Sequence, residues 1–290
     1  MNFISYVSTS GKPRPQIDKL KAFCFFLEGQ IPPPNRSFSE IIEIFDSSIR
    51  KMEPVVSSGA LNNCHGDWYE WLLALAAWNV ACDSENSLLA VRLPNVAQFD
   101  VGSLYEKALE DLLQDLRKKL STKGEVELIT SNPDFAIIDR RILNQKLSFK
   151  DTLTNINENA LEMLDNLYKS FVGKCEFNAI KGYASVKNSL RPDRRLQLSH
   201  EGSLMKALYA HLQTRMWIID PPGIKYYAIT SDASVADKRG LKTVATHSIT
   251  TVQTLPQAAV DEVFIVNSFG EANAAFKEIL KFSSQATADE

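Results

Sequence analysis

The sequence has few cysteines and histidines, four of each in 290 residues. The cysteines are widely spaced, form no CxxC pair and have no histidine at zinc-ligand spacing. This argues against a disulfide framework or a zinc domain and predicts buried thiols in a reducing compartment. A long apolar run is also missing, since the most apolar stretch, 71–81, is too short to span a bilayer. The first residues lack an apolar run after a basic start, so we expect no signal peptide and a soluble cytoplasmic protein.

Positive charge is not in excess either, because the formal net charge is −3. A chain with this balance is not expected to coat nucleic acid without sequence preference, although it leaves room for a local basic cleft. The sequence has neither a GxSxG elbow nor a GxxxxGK[ST] loop. These absences argue against a serine esterase and against the use of ATP.

Hydrophobic residues make up 44% of the chain and recur at the spacings of helices and strands. Helical spacing predicts helices near 15–28, 38–53, 67–81, 103–120, 151–172, 201–215 and 271–282. Short or alternating apolar runs predict strands at 127–131, 135–139, 182–187, 225–230, 241–249 and 261–267. Helices that alternate with a few strands indicate an α/β domain. We divide the chain into a helical N-terminal part, 1–95, packed on a core, 96–290, which together form one compact unit.

Pro133-Asp134 and the strand 182–187 supply the first candidates for a reactive site. About one Pro-Asp pair is expected by chance in such a chain and this one has two, so an ordinary turn is the commoner explanation of Asp134. Alternation along the strand places Ser185 and Lys187 on one side. A lysine at a strand end is often a solvated charge. If the strand lies beside Asp134, however, Lys187 and that carboxylate converge.

Two further acids lie on apolar faces. Glu201, at the apparent start of a helix, shares its face with leucines and a methionine, and Glu70 is the one charged residue from Trp68 to Trp78. Burying a carboxylate in such a place costs free energy unless it is paired or bound to a cation. The alternatives to a metal-binding role are that each acid pairs with a buried arginine or caps a helix. Three carboxylates and a lysine match the needs of phosphodiester hydrolysis, because hard oxygen ligands hold Mg²⁺ and a lysine orients or deprotonates water.

The segment 187–195 is locally basic, with four cations and one acid. A solvated basic turn is the ordinary explanation of such a segment. An arginine, however, can donate two hydrogen bonds to guanine O6 and N7, and an aspartate accepts one from cytosine N4. Arg191, Asp193 and Arg194, in a turn stiffened by Pro192, are therefore suited to reading adjacent G·C pairs next to Lys187.

Four segments carry a resemblance to a known family: SNPDFAIID (131–139), ASVK (184–187), RPDRRLQLSHEGSLMKALYAHLQTR (191–215) and NNCHGDWYEWL (62–72). They resemble restriction endonucleases of the PD-(D/E)XK superfamily. More narrowly, they resemble the CCGG-core group that cuts purine-CCGG-pyrimidine sites, of the BsrFI or NgoMIV kind. The similarity extends to LKTVATHSIT (241–250) and LPQAAVDEVF (255–264). It implies a restriction-endonuclease-like core with a central mixed β-sheet flanked by helices.

The resemblance implies a bacterial type II restriction endonuclease that acts on double-stranded DNA with Mg²⁺ as cofactor. Such an enzyme hydrolyses both strands after the outer purine and leaves 5′-phosphates on four-base 5′ overhangs. It also implies a homodimer that matches the two-fold symmetry of the site. In this group two dimers commonly form a homotetramer.

The resemblance further implies catalytic roles residue by residue. Asp134 and Glu201 would bind the metal, Lys187 would be the catalytic lysine, and Glu70 would be an accessory acid that also approaches the metal. The superfamily normally has an acid two residues before the lysine, where this chain has Ser185. For the narrower group, the resemblance implies that Glu201, on the helix, takes the place of this acid as a metal ligand.

The implied recognition residues are Arg191, Asp193 and Arg194 for the CCGG core and Asn63 for the outer purine. A second hypothesis is a sequence-specific DNA-binding protein that has kept the recognition segment and lost catalysis. The intact set of Asp134, Lys187 and Glu201 argues against this alternative.

Overall fold

The computed structural model describes residues 3–9, 12–83, 87–95, 97–122, 128, 132–143, 151–250 and 255–281. The chain begins with an antiparallel pair of strands, β1 (Ile4–Thr9) and β2 (Lys12–Ile17), followed by helix α1 (Lys19–Leu27). The helix predicted over 15–28 therefore starts late. Pro13 and Pro15 disfavour a helix there, and the Asp18 side chain caps α1 by accepting a hydrogen bond from Lys21 N.

Two longer helices complete the N-terminal part, α2 (Phe38–Met52) and α3 (Ser58–Asp83). The helix predicted over 67–81 is the buried half of α3, where Trp68 and Leu72 are wholly enclosed. The earlier half is more polar, and several of its side chains are exposed. The apolar half thus anchors α3 in the core, and its polar half carries side chains to the surface.

In the part of the chain that the structure describes, five strands form the central sheet, and their order in the sheet is their order in the chain: β3 (Leu88–Arg92), β4 (Phe135–Asp139), β5 (Ile180–Lys187), β6 (Lys225–Thr230) and β7 (Glu262–Ile265). The pairs β3–β4 and β4–β5 are antiparallel, whereas β5–β6 and β6–β7 are parallel. The strands predicted at 135–139, 182–187, 225–230 and 261–267 are confirmed. The strand predicted at 127–131 lies outside the described residues except for Leu128.

Among the described residues, three α-helices lie between β3 and β6: α4 (Lys107–Thr122), α5 (Glu158–Asn166) and α6 (Pro192–Arg215). The helix predicted over 151–172 is too long, because the Asn157 side chain caps α5 by accepting from Ala160 N. The helix predicted from 201 is too short. Pro192 at the first helical position and Asp193 in the first turn both favour an earlier start.

The strand predicted over 241–249 is wrong. Helix α7 (Val235–Leu241) ends in this segment, and a 3-10 turn, Thr246–Ile249, follows. Leu241 and Ala245 are both fully buried, so the apolar run reflects burial in the core, and its one strand-like contact with the described residues is the isolated bridge between Val244 and Ala258. The last helix, α8 (Phe269–Lys281), lies close to its predicted range.

The architecture is the predicted α/β fold, with a mixed sheet and helices around it. The first 95 residues contribute β3 to this sheet, so the two proposed parts share one sheet and the division at 95 stays a prediction. The four cysteines are free thiols, two of them buried and two half-buried. Within the described ranges, no helix is both long and apolar enough to cross a membrane.

Helix α6 approaches the segment before β7 so closely that Gly202 leaves no space for a side chain. A Cβ atom here would lie 2.2 Å from Ala259 O and 2.9 Å from a ring carbon of Tyr226. We expect Gly202→Ala to lower the free energy of unfolding by about 1–3 kcal/mol, because helix or loop must shift. Gly240→Ala is the matched control, since nothing lies within 4 Å of its Cβ position in α7. Urea unfolding measures both, and a fully stable Gly202→Ala variant would contradict this close approach.

Candidate active site

The carboxylate of Asp134 and the ammonium group of Lys187 meet where β4 begins and β5 ends. The antiparallel register pairs Phe135 with Ala184, so the residue before β4 lies beside the last residues of β5. Asp134 Oδ2 accepts a hydrogen bond from Val186 N at 2.5 Å, and Lys187 Nζ lies 3.8 Å from the same oxygen. The predicted convergence of Lys187 and Asp134 is confirmed.

Glu201 approaches this site from α6, with a side chain that is buried. Its Oε2 accepts hydrogen bonds from Ser185 Oγ at 3.0 Å and from the Tyr226 hydroxyl at 2.9 Å. Its Oε1 accepts one from Gln197 Nε2 at 2.8 Å. Glu201 is in the third turn of the helix and not at its start, because α6 begins at Pro192. Hydroxyl and amide donors therefore explain its burial, and neither of the two alternatives, a buried arginine or helix capping, does so.

The electrostatic surroundings of Asp134 favour a bound cation. Burial raises the pKa of Asp134 above its ordinary value, and the charge of Glu201 raises it further, while Lys187 and the Val186 N–H lower it. Two carboxylates that repel each other in a desolvated site form a donor pair for a divalent cation, which prefers hard oxygen ligands. By the chemistry of their donors, Asp134 and Glu201 fit a metal ion.

Glu70 is close enough to Asp134 for its pKa to respond to that charge, but an arginine binds it. Arg92 Nε donates to Glu70 Oε2 at 2.9 Å, so the alternative of pairing with a buried arginine is confirmed for this acid. Among the described residues, no group of three or more His, Cys, Asp or Glu side chains could hold a metal ion. Because Arg92 binds the Glu70 carboxylate, the predicted metal-binding role of Glu70 beside Asp134 and Glu201 stays a prediction.

A cleft of about 830 Å³ is lined by Asp134, Glu70 and Arg92, whereas Lys187 and Glu201 are not part of its lining. Helix α3 contributes Asn63 and Glu70 to its lining, and Asp134 lies on its wall. Lys19 and Lys169 also line the cleft. Asn63 is exposed, so the residue predicted to contact the outer purine shares one solvent-accessible cleft with two of the predicted acids.

Arg191, Asp193 and Arg194 lie at the beginning of α6, shortly after β5 ends at Lys187. The predicted stiff turn is thus the first turn of a helix, with Arg191 in extended conformation just before Pro192. Arg191 Nε is 3.8 Å from Asp193 Oδ1, and both side chains are largely exposed. Arg194 is half-buried and makes no ion pair with the described residues. All three predicted readers are therefore near Lys187 in the chain and accessible, but they are outside the lining of the cleft.

Three side chains that hold the acids in place were missed in the sequence. Arg92 follows the apolar run of β3, and a charged residue in such a position requires a partner, so a signal was present. Tyr226 and Gln197 gave no signal, because a tyrosine in an apolar strand and a glutamine on a helix are ordinary. Their roles depend on β6 lying beside β5 and on α6 crossing both strands.

Glu70 is expected to make stability depend on pH near neutrality. Burial and the charge of Asp134 raise the pKa of Glu70 to about 7, against the lowering effect of Arg92. Between about 4.5 and 7 the folded protein keeps a proton that the unfolded chain has released, so stability falls as pH rises through this window. We expect a loss of at most about 3 kcal/mol.

Chemical unfolding of metal-free wild type and Glu70→Gln at a series of pH values measures this contribution. The glutamine cannot ionise, so the variant should lose this part of the slope. An unchanged slope in the variant would contradict the raised pKa.

The chain is similar to restriction endonucleases along almost its whole length. The sequence model of the family "Cfr10I/Bse634I restriction endonuclease" matches residues 1–282. The type II restriction enzyme Cfr10I of Citrobacter freundii is 50% identical over 240 residues, which are 82% of this chain and 84% of that protein. The solved structure of the Bse634I restriction endonuclease superposes with a TM-score of 0.86 at 33% identity and covers 96% of this chain and 97% of that one. A structure of the type IIF restriction endonuclease Bse634I with cognate DNA gives the same TM-score, 0.86, and the same coverage at 32% identity.

Proposed function

Because this chain belongs to the Cfr10I/Bse634I family of type II restriction endonucleases, we propose that it cuts purine-CCGG-pyrimidine sites in a Mg²⁺-dependent reaction. Both strands are hydrolysed after the outer purine, which leaves 5′-phosphates on four-base 5′ overhangs. The observation that carries this proposal is the 3.8 Å approach of Lys187 Nζ to Asp134 Oδ2, with the buried Glu201 close enough to raise the pKa of Asp134.

Asp134 and Glu201 would hold the Mg²⁺ ion, which, when bound, supplies positive charge to the phosphate and to the leaving oxygen. Ser185 and Tyr226 donate hydrogen bonds to Glu201 and so keep its carboxylate aimed into the site. Lys187 orients the attacking water and neutralises charge on the phosphate. Glu70 acts as an accessory acid next to Asp134 instead of as a third ligand.

Arg191, Asp193 and Arg194 would read the CCGG core through the major groove. Their position at the start of α6, where Arg191 and Asp193 are exposed, supports this, since arginine forks and a carboxylate match the edges of G·C pairs. Asn63, exposed in the cleft beside Asp134, would contact the outer purine. Recognition and cleavage would then be coupled through the short connection between β5 and α6.

The active unit would be a homodimer that pairs into a homotetramer, because a palindromic site calls for two-fold symmetry. Two large apolar side chains beyond α6 support self-association: Trp217 is 90% exposed and Ile219 is 86% exposed. We expect Trp217→Glu to lower the mass measured by sedimentation, and Val235→Glu, at an 85% exposed valine in α7, to leave it unchanged. An unaltered mass for the Trp217 variant would exclude this surface.

The cleavage proposal is tested on one DNA that contains CCGG flanked by every combination of outer bases. We expect double-strand cuts only at purine-CCGG-pyrimidine and only with Mg²⁺, and sequencing of the ends should give four-base 5′ overhangs. Cuts at other outer pairs would correct the specificity. Specific binding without any cleavage would instead support the catalytically silent DNA-binding protein.

A further inference from the structure

Arg92 lies at the end of β3, and the sheet ties its position to that of Asp134. The antiparallel register pairs Arg92 with Phe135, the residue after Asp134. In the next step of the ladder, Leu93 N donates to Asp134 O at 2.9 Å. The sheet hydrogen bonds thus fix the backbone of Arg92 relative to the residue that carries the proposed metal-binding carboxylate.

The guanidinium group of Arg92 binds three carboxylates from two helices. It donates to Glu70 Oε2 at 2.9 Å and to Asp67 Oδ1 at 2.8 Å, both on α3, and to Asp165 on α5. The ring of Trp71 lies 5.6 Å from its Cζ, and Trp71 Nε1 donates to Asp165 Oδ1 at 2.9 Å. The Arg92 side chain is 12% exposed. A rigid fork of five donors can serve three acids at once, whereas a lysine ammonium group cannot reproduce this geometry.

We propose that Arg92 is a positioning residue for DNA cleavage, which holds the Glu70 carboxylate in place beside Asp134. This role rests on the proposed function. Once Glu70 is ionised, it and Asp134 carry like charges on one cleft, so Glu70 would move away if the guanidinium did not hold it. The donors of Arg92 are taken up by three carboxylates, so we expect the effect on the reaction and not on DNA affinity.

Arg92→Lys tests this role, because it keeps the charge and loses the three-way binding. We expect single-turnover cleavage at saturating enzyme to be about 10–100-fold slower. Affinity for cognate DNA, measured without Mg²⁺, should stay the same. Asp165→Ala is the matched control: it removes an Arg92 partner and a Trp71 acceptor but leaves Glu70 bound to Arg92, so its cleavage rate should stay near that of wild type. Urea unfolding shows whether the two variants lose comparable stability. If they do and they also lose cleavage equally, the effect of Arg92→Lys is purely structural and the positioning role fails.

Combining Arg92→Lys with Glu70→Gln shows whether Arg92 acts through Glu70. We expect the double variant to cleave no more slowly than the slower single variant, because both changes remove the same placed carboxylate. If the loss of rate in the double variant were the product of the two single losses, the proposal would be overturned. A normal cleavage rate for either single variant would also overturn it. Lys187→Ala distinguishes a failure of the positioning role of Arg92 from a failure of the proposed function. If it loses cleavage while Arg92→Lys cuts normally, the positioning role fails and the proposed function stands. If Lys187→Ala itself cuts normally, the catalytic assignment fails first.

Discussion

Lys187→Ala is expected to cut cognate DNA about 10²–10⁴-fold more slowly than the wild type while still binding it specifically. Lys187 Nζ is 3.8 Å from Asp134 Oδ2, so the substitution removes the cation that faces the proposed metal-binding carboxylate. It leaves untouched the residues at the beginning of α6 that are proposed to read the bases. The loss should therefore appear in the rate of cleavage and not in DNA affinity.

Single-turnover rates with Mg²⁺ and binding assays without it measure the two effects separately. Lys181→Ala is the control, because this half-buried lysine lies at the other end of the same strand, β5. It should cut at close to the normal rate. Asp134→Asn should behave like Lys187→Ala, since it removes the charge on the other side of the contact. Near-normal cutting by either variant would overturn the catalytic assignment.

The encounter of Lys187 with Asp134 was only partly predictable from sequence. Alternation along 182–187 places Ser185 and Lys187 on one side, because successive side chains of any strand point to opposite faces. Which residue faces Ser185 and Lys187 depends on which strand lies next to β5 and on the register between them. The spacing of residues within one segment predicts neither of these. The register that pairs Phe135 with Ala184 supplies both.

The two buried acids show a different limit of prediction from the sequence. The apolar surroundings of Glu70 and Glu201 predicted that each needs a partner, and this requirement comes from the cost of desolvation alone. The identity of the partner does not follow, because it is distant in the chain: Arg92 is 22 residues from Glu70, and Tyr226 is 25 residues from Glu201. Glu70 is bound by an arginine, whereas Glu201 accepts hydrogen bonds from hydroxyl groups. This difference explains why two residues with similar sequence surroundings are proposed to have different roles.

Arg191→Ala and Arg194→Ala are expected to weaken binding to CCGG sites far more than binding to random DNA. A bidentate arginine–guanine contact contributes about 1–3 kcal/mol of discrimination. In a symmetric dimer each substitution removes two such contacts, so the expected loss is about 2–6 kcal/mol, or roughly 30-fold to 10⁴-fold in affinity. Titrations of each variant with cognate and random duplexes, at one fixed salt concentration, measure this ratio.

Arg195→Ala separates base reading from charge. It removes the same positive charge one residue further along α6, but Arg195 is bound to Asp237 of α7 at 2.8 Å and so is not available to a base. We therefore expect it to leave the ratio of cognate to random affinity unchanged. If Arg191→Ala and Arg194→Ala also left that ratio unchanged and weakened both duplexes equally, they would be phosphate contacts, which carry no sequence information. Reading of the CCGG core would then have to be assigned to other residues.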